Sequence, residues 1–134
     1  MKWLRGLVHR EKGSAPLRGV PAIRRQKNYL AMSGYAYEYF YEGMRDEASR
    51  REHVFTVSGD RKTWFPVQVL VPDASVTQWE AAHGRVLADN ERYAIAKMAL
   101  FEAFDTRESP AEMNAAVEVS AEQVEELLGR LGFE

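Results

Sequence analysis

The chain has no cysteine among its 134 residues, and this absence excludes several kinds of site at once. Disulfides, thiolate nucleophiles, zinc–thiolate centres and iron–sulfur clusters all require the cysteine side chain. The length, with 46% hydrophobic and 28% charged residues, fits one globular domain that has its own core. We therefore expect the chain to fold without covalent or metal cross-links.

Long hydrophobic runs are also absent. No apolar run approaches the roughly 18 residues that span a bilayer, so no transmembrane segment is predicted. Residues 1–12, MKWLRGLVHREK, interrupt their apolar positions with charges and lack the continuous apolar core of a secretory signal. A reducing compartment suits a chain without cysteine. These features favour a cytoplasmic location.

Common catalytic and metal-binding patterns are missing as well. The sequence has no G-x-S-x-G turn for a nucleophile and no glycine-rich phosphate loop that opens a helix. His9, His53 and His83 are widely separated and follow no metal-ligand spacing. A metal site would have to assemble in space from His53, His83 and carboxylates.

Two carboxylate pairs are the remaining candidates for acid–base chemistry. Glu38 and Glu42 share one face of a predicted strand, and Glu102 and Asp105 lie one helical turn apart. Paired carboxylates do such work when burial separates their pKa values, but the flanking sequence is polar and we expect both pairs to be solvated. No catalytic residue, metal ligand or cofactor is therefore predicted.

Charge is divided unevenly along the chain. Residues 1–28 carry a net charge of +7 and residues 29–134 carry −9, which together give −2. Glycines and prolines interrupt residues 13–21, so no regular element is expected there. We predict that residues 1–28 form a flexible basic arm in extended conformation and that residues 29–134 form a single domain.

Four interpretations of the basic arm stay open. The first is a poorly ordered tail. The second is an anchor on an anionic membrane, with Trp3 and its apolar neighbours inserted among lipid headgroups. The third is nucleic-acid contact by Arg24, Arg25 and Lys27. The fourth is docking on the acidic body of a second copy, because residues 102–134 carry nine acidic residues and two basic ones.

Residues 29–71 predict a β meander, and residues 73–134 predict a layer of helices. The stretches NYLAMSGYAYEYFYEG, HVFTVS and KTWFPVQVLV are typical of strands, with RDEASRRE as a polar connection and Gly59-Asp60 in a tight turn. Pro66 cannot donate to a β ladder, so its strand is expected at an edge or with a bulge. The predicted fold is α+β: a small antiparallel sheet of about three strands, packed on one face by C-terminal helices.

Three helices are expected in the second half of the chain. The first ends at Gly84, the second covers residues 90–105, and the third begins after Ser120, which has Gln123 in the capping-box position. The second helix is apolar over most of its circumference, so another helix or another subunit must cover it. This helix and the open edges of the sheet favour a homodimer.

The most conspicuous pattern is a tyrosine at every second position from Tyr35 to Tyr41. Residues two apart on a strand share a face, so Tyr35, Tyr37, Tyr39 and Tyr41 should point one way. These rings either pack beneath the helices or form an exposed platform on which bases or rings stack. Packing is favoured because the domain is acidic, whereas platforms for phosphate-bearing ligands have basic surroundings. Exposed rings close to Arg45, Arg50 and Arg51 would favour the platform.

No single feature identifies a function. We expect a small non-enzymatic interaction module that self-associates as a homodimer, or binds an unknown protein partner, through the tyrosine-bearing sheet and the basic arm. The first alternative is a ligand- or nucleic-acid-binding domain that uses the same surfaces. The second is a small enzyme whose site forms only on oligomerisation. The candidate contact residues are Tyr35, Tyr37, Tyr39, Tyr41, Trp3, Arg24, Arg25 and Lys27.

Overall fold

A computed structural model describes residues 15–132 of the chain. Its elements are five strands, three helices and a short 3-10 turn. In chain order they are β1 (Lys27–Leu30), β2 (Ala36–Glu47), β3 (Arg50–Ser58), β4 (Phe65–Pro72), α1 (Asp73–His83), α2 (Asp89–Thr106), the 3-10 turn (Pro110–Met113), β5 (Val117–Glu118) and α3 (Ala121–Leu131).

The strands form one mixed sheet in the order β1-β2-β3-β4-β5. The first four are antiparallel neighbours, and β5 runs parallel to β4 over only two residue pairs. The α+β class is confirmed. The predicted meander is present as β2, β3 and β4, but the expectation of about three antiparallel strands is wrong because β1 and β5 extend the sheet on both sides.

A turn divides the single strand predicted for this stretch into β1 and β2. The run NYLAMSGYAYEYFYEG contains a turn after Leu30, closed by a hydrogen bond from the Ala31 N–H to the Tyr35 carbonyl at 2.9 Å. Gly34 has a φ of 98°, which a residue with a side chain rarely adopts. One alternating stretch therefore forms two paired strands rather than one.

The polar stretch RDEASRRE is not a loop. β2 and β3 continue through it, and the connection shrinks to Ala48 and Ser49, which have φ values of 52° and 64°. Two consecutive positive φ values are typical of a tight hairpin turn. Opposite charges face each other across the hairpin, and such pairs favour strands: the register partners are Arg45 with Glu52 and Asp46 with Arg51.

The three predicted helices are confirmed, and their ends follow the sequence signals. α1 ends before Gly84, which has a φ of 67°. At the start of α3, Ser120 accepts a hydrogen bond from the Gln123 N–H, and the Gln123 side chain accepts one from the Ser120 N–H. None of the helices between residues 15 and 132 combines the length and the hydrophobicity that crossing a membrane requires.

α2 packs on the sheet face that carries the tyrosines, and α3 contacts both α1 and α2. Ile95, which lies outside the main apolar stripe of α2, is fully buried within the chain. Phe101 stacks on Tyr29 of β1 with 4.3 Å between ring centroids. The apolar circumference of α2 therefore does not require a second subunit, and the homodimer stays a prediction.

Part of the predicted basic arm lies along the edge of the sheet. Trp3 and the rest of the predicted apolar tip are outside the described residues. The edge segment, defined here as residues 15–26, runs beside β2, where the Arg18 N–H donates to the Met44 carbonyl and the Met44 N–H donates back, at 2.8 and 2.9 Å. The division of the chain at residue 28 stays a prediction.

Between its two contacts with β2, the edge segment forms an arch. The chain advances nine residues from Arg18 to Lys27, whereas their partners on β2, Met44 and Tyr39, are only five residues apart. The surplus residues must leave the plane of the ladder. This arch creates space between the edge segment and the sheet.

A β-bulge in β2 seats the edge segment. Tyr41 pairs with Phe55 and Gly43 pairs with Val54, so one residue of β2 is left over. Gly43 has a φ of 136°, and a Cβ atom there would lie 3.0 Å from the Arg18 carbonyl oxygen. Glycine therefore allows both the backbone conformation and the close approach of the edge segment.

Candidate functional site

A cavity of about 310 Å³ opens between the edge segment, β2 and the first turns of α2. Its size falls in the range of small-molecule pockets, which is about 300–1,000 Å³. Three tyrosine rings, two cationic side chains and two apolar residues surround it. The lining residues are Pro21, Ile23, Arg25, Lys27, Tyr39, Tyr41 and Tyr93.

Alternation along the arch places successive side chains on opposite sides of the sheet edge. Ile23 and Arg25 line the cavity on the helix side. Arg24, between them, lies over the outer face of the sheet, with its guanidinium carbon 3.9 Å from the centre of the Phe40 ring. Its Nε and Nη2 atoms donate to the two carboxylate oxygens of Glu42 at 3.0 and 2.6 Å. These contacts fix the arch so that its neighbours face the cavity.

The aromatic wall of the cavity is held by further rings. Tyr41 and Tyr93 meet edge to face with 4.7 Å between centroids, and Tyr41 lies 5.1 Å from Phe55. Tyr39 lies 5.8 Å from Phe101, again edge to face. Such arrangements are the favourable ones for aromatic pairs. The wall is therefore a packed surface whose rings have defined orientations.

Burial keeps the tyrosine hydroxyls of the cavity protonated. It raises the pKa of Tyr39 to about 12 and that of Tyr41 to about 12, and it also raises the pKa of Tyr93. At neutral pH these groups are uncharged and exchange hydrogen bonds with their surroundings. They suit recognition of a ligand better than proton abstraction from one.

His53 stands behind Tyr41 and is fully buried. Its Nδ1 atom lies 3.1 Å from the Tyr41 hydroxyl, and its Nε2 atom has no hydrogen-bond partner among the described residues. Burial, together with the positive charges of Arg51 and Arg92, lowers the pKa of His53 to about 4. The imidazole is therefore neutral at physiological pH and supports Tyr41 from within the core.

The structure does not bring His53 and His83 together. His83 ends α1, where its ring stacks on Trp79 and its Nε2 atom lies 3.1 Å from Glu125. Between residues 15 and 132, no group of three histidine or carboxylate side chains is placed to hold a metal ion.

The cations at the mouth of the cavity lack acidic partners. Arg25 and Lys27 are exposed, and neither has a carboxylate partner within residues 15–132. Every other described arginine is paired with a carboxylate, except Arg107, which donates to three backbone carbonyls. Burial and the charge of Lys27 both lower the pKa of Lys97 on α2. The mouth of the cavity therefore carries uncompensated positive charge in a largely acidic domain.

The predicted contact residues divide between the cavity and other places. Tyr37 is fully buried and stacks on Phe104 at 4.2 Å, and Tyr35 precedes β2 and is 41% exposed. Arg24 faces the opposite side of the sheet, and Trp3 lies outside the described residues. Those gathered around the cavity are Tyr39, Tyr41, Arg25 and Lys27. Their role in binding a partner stays a prediction.

The four tyrosines do not form an open stacking platform, because Tyr37 and Tyr39 are buried beneath α2. Tyr41 is half-buried and borders the cavity. A platform would be favoured by arginines close to exposed rings. Arg45 and Arg50 instead form ion pairs with Glu52, and Arg51 forms ion pairs with Asp46 and Asp89.

The expectation that Glu38 is solvated is wrong. Only 3% of this residue is exposed, because it lies in the middle of the sheet opposite Ser58 and Arg61 folds over it with an Nη2–Oε2 distance of 3.1 Å. Glu42 is partly buried, and its bond with Arg24 holds its pKa below the usual range. Both carboxylates lie on the face away from the cavity.

Sequence reasoning missed three residues that line the cavity. Tyr93 belongs to the apolar stripe of α2, and periodicity does not separate a cavity wall from a core position. Pro21 and Ile23 lie in the stretch that is predicted to belong to the flexible basic arm. Ile23 directly precedes Arg24 and Arg25, which are predicted contact residues. This adjacency is the one signal in the sequence that points to Ile23.

Comparison with known proteins gives no match: no family model, no curated protein and no solved structure is significantly similar to the chain. A function is therefore to be argued from the geometry of the site.

Proposed function

We propose that the protein is a non-enzymatic binding domain that holds a small ligand with a planar ring in the cavity. The supporting observation is the cavity itself, with its wall of Tyr39, Tyr41 and Tyr93 and its rim formed by the edge segment. Pockets of this size with aromatic walls and a few polar groups are the usual form of small-molecule sites.

The state of the polar groups supports binding rather than turnover. Near pH 7, protonated tyrosine hydroxyls and a neutral His53 do not change charge. The tyrosine hydroxyls can donate and accept hydrogen bonds, while the tyrosine rings offer aromatic contacts worth about 0.5–1.5 kcal/mol beyond the buried area. Neither contribution requires a reaction.

Ligand-detected NMR and calorimetry test this proposal. Adenosine and uridine serve as neutral ring-bearing probes, and ribose serves as a probe without the aromatic ring. We expect saturation transfer to the ring protons of the nucleosides and none to ribose. Tyr93→Leu removes one wall of the cavity and should weaken nucleoside binding, whereas Tyr35→Leu, at an exposed tyrosine outside the cavity, should not. Equal behaviour of the two variants, or no binding of either nucleoside, contradicts the proposal.

Self-association through the free edge of β1 is a second candidate function. Within the described residues β1 pairs only with β2, and the apolar side chains at its end, Leu30 and Met32, are 74% and 85% exposed. Unpaired edges with exposed apolar residues favour pairing between copies. Light scattering on the full chain should then give a dimer, and Leu30→Glu should give a monomer. A monomeric wild-type chain excludes this candidate.

A further inference from the structure

A second, open depression adjoins the cavity at the same sheet edge. This shelf, of about 550 Å³, is lined by Arg25, Gln26, Lys27, Asn28 and Tyr39. Arg25, Lys27 and Tyr39 belong to both the shelf and the cavity. The cavity and the shelf are therefore neighbours along the same sheet edge.

The two cationic residues that the shelf shares with the cavity give the shelf its chemistry. Lys27 pairs with Tyr39 and shares its face of the sheet, and Arg25 lines the cavity on that face, whereas Asn28 pairs with Glu38 on the opposite face. Both cationic side chains donate hydrogen bonds and carry positive charge. A cluster of donors with a double positive charge matches an anion that has several acceptor oxygens and more than one negative charge, which describes a phosphoryl group.

The charges on the shelf are available to a ligand. Arg25 and Lys27 are exposed and have no carboxylate partner within the described range, whereas Arg24, the neighbour of Arg25, is bound to Glu42. Lys97 adds to the positive potential from α2, since its pKa responds to the charge of Lys27. The side chains of Arg25 and Lys27 are thus without carboxylate partners among residues 15–132 where the sheet edge borders the aromatic cavity.

We propose that the ligand is a phosphate ester of a planar ring, of the size of a mononucleotide, with its ring in the cavity and its phosphoryl group on the shelf. This inference rests on the proposed function, because it takes the ring to be held by Tyr39, Tyr41 and Tyr93. Arg25 and Lys27 bind the phosphoryl oxygens. No bond is made or broken.

Calorimetric titration of the full chain with AMP, adenosine and inorganic phosphate tests the proposal. We expect AMP to bind roughly tenfold more tightly than adenosine, which corresponds to about 1.4 kcal/mol, and inorganic phosphate to bind more weakly than either. The advantage of AMP should shrink as salt is raised, because the shelf is exposed to solvent. In the double variant Arg25→Gln, Lys27→Gln the affinity for AMP should fall to that for adenosine.

Matched comparisons separate this proposal from the broader function. Lys62→Gln removes an exposed lysine in the turn between β3 and β4 and should leave the AMP advantage unchanged. Equal affinity of the wild-type protein for AMP and adenosine overturns the phosphoryl site but leaves the ring site standing. The phosphoryl site is also overturned if Lys62→Gln reduces the AMP advantage as much as the double variant does. The effect would then come from net charge and not from the shelf. Binding of neither compound refutes the ring site and the phosphoryl site together.

Discussion

His53 should make the stability of the protein depend on pH in a range where most carboxylates do not titrate. The imidazole is fully buried in β3, beside Tyr41 and Tyr93. Burial first, and then the charges of Arg51 and Arg92, lower its pKa from 6.5 to about 4. In the unfolded chain His53 has the ordinary histidine pKa of 6.5. Between the folded-state and unfolded-state pKa values, the unfolded state therefore binds a proton that the folded state does not.

The sign and the size of the effect follow from proton linkage. Because the folded-state pKa of His53 is lowered, acidification favours the unfolded state. The free energy of unfolding should fall as the pH drops from about 6.5 towards 4, by about 1.4 kcal/mol for each unit of pKa shift. The whole shift amounts to about 3 kcal/mol, of which about 2 kcal/mol should be lost between pH 7 and pH 5.

Urea denaturation at pH 7 and pH 5 measures this loss. The variant His53→Gln keeps a polar side chain of similar length but does not titrate, so its loss between the two pH values should be smaller than that of the wild type by about 2 kcal/mol. Identical pH dependence of the wild-type and His53→Gln proteins refutes the reasoning. The acidic partners of Arg51, Asp46 and Asp89, have lowered pKa values and titrate below this window.

The helices could be predicted because their ends are encoded locally. Ser120 and Gln123 are three residues apart and satisfy each other's backbone groups, and Gly84 takes the left-handed conformation that ends α1. Such signals depend on neighbours within one turn. The number of strands depends instead on pairing between distant segments. β5 consists of only Val117 and Glu118, which owe their extended conformation to β4, and so short a stretch carries no periodicity.

The candidate site was predictable only in fragments. Alternation correctly places Tyr37, Tyr39 and Tyr41 on one face of β2, but which ring borders open space is decided by contacts from elsewhere in the chain. Tyr93 arrives on α2, and the arch of the edge segment supplies the opposite wall. Composition predicts a flexible basic arm there. It does not reveal that Arg24 would be bound to Glu42 on one side of the sheet while Arg25 faces the cavity on the other.

Two glycines give further tests, one of the contact between the turn after β3 and the 3-10 turn, and one of the site. A Cβ atom at Gly59 would lie 2.6 Å from the Pro110 side chain, so Gly59→Ala should destabilise the protein by about 1–3 kcal/mol in urea denaturation. A double-mutant cycle with Pro110→Gly should show coupling, and additive effects would contradict the contact. Gly43→Ala should loosen the edge segment, because the new Cβ atom would meet the Arg18 carbonyl oxygen at 3.0 Å and the φ of 136° is strained for alanine, at a cost of about 1–3 kcal/mol. The ladder bonds between Arg18 and Met44 should open more often, so hydrogen exchange of these two amides should accelerate while that of the α3 amides stays unchanged. Since the edge segment forms one wall of the cavity, nucleoside affinity should fall in the same variant. Unchanged exchange at Arg18 would mean that the bulge does not seat the edge segment, and the wall of the cavity would then have another support.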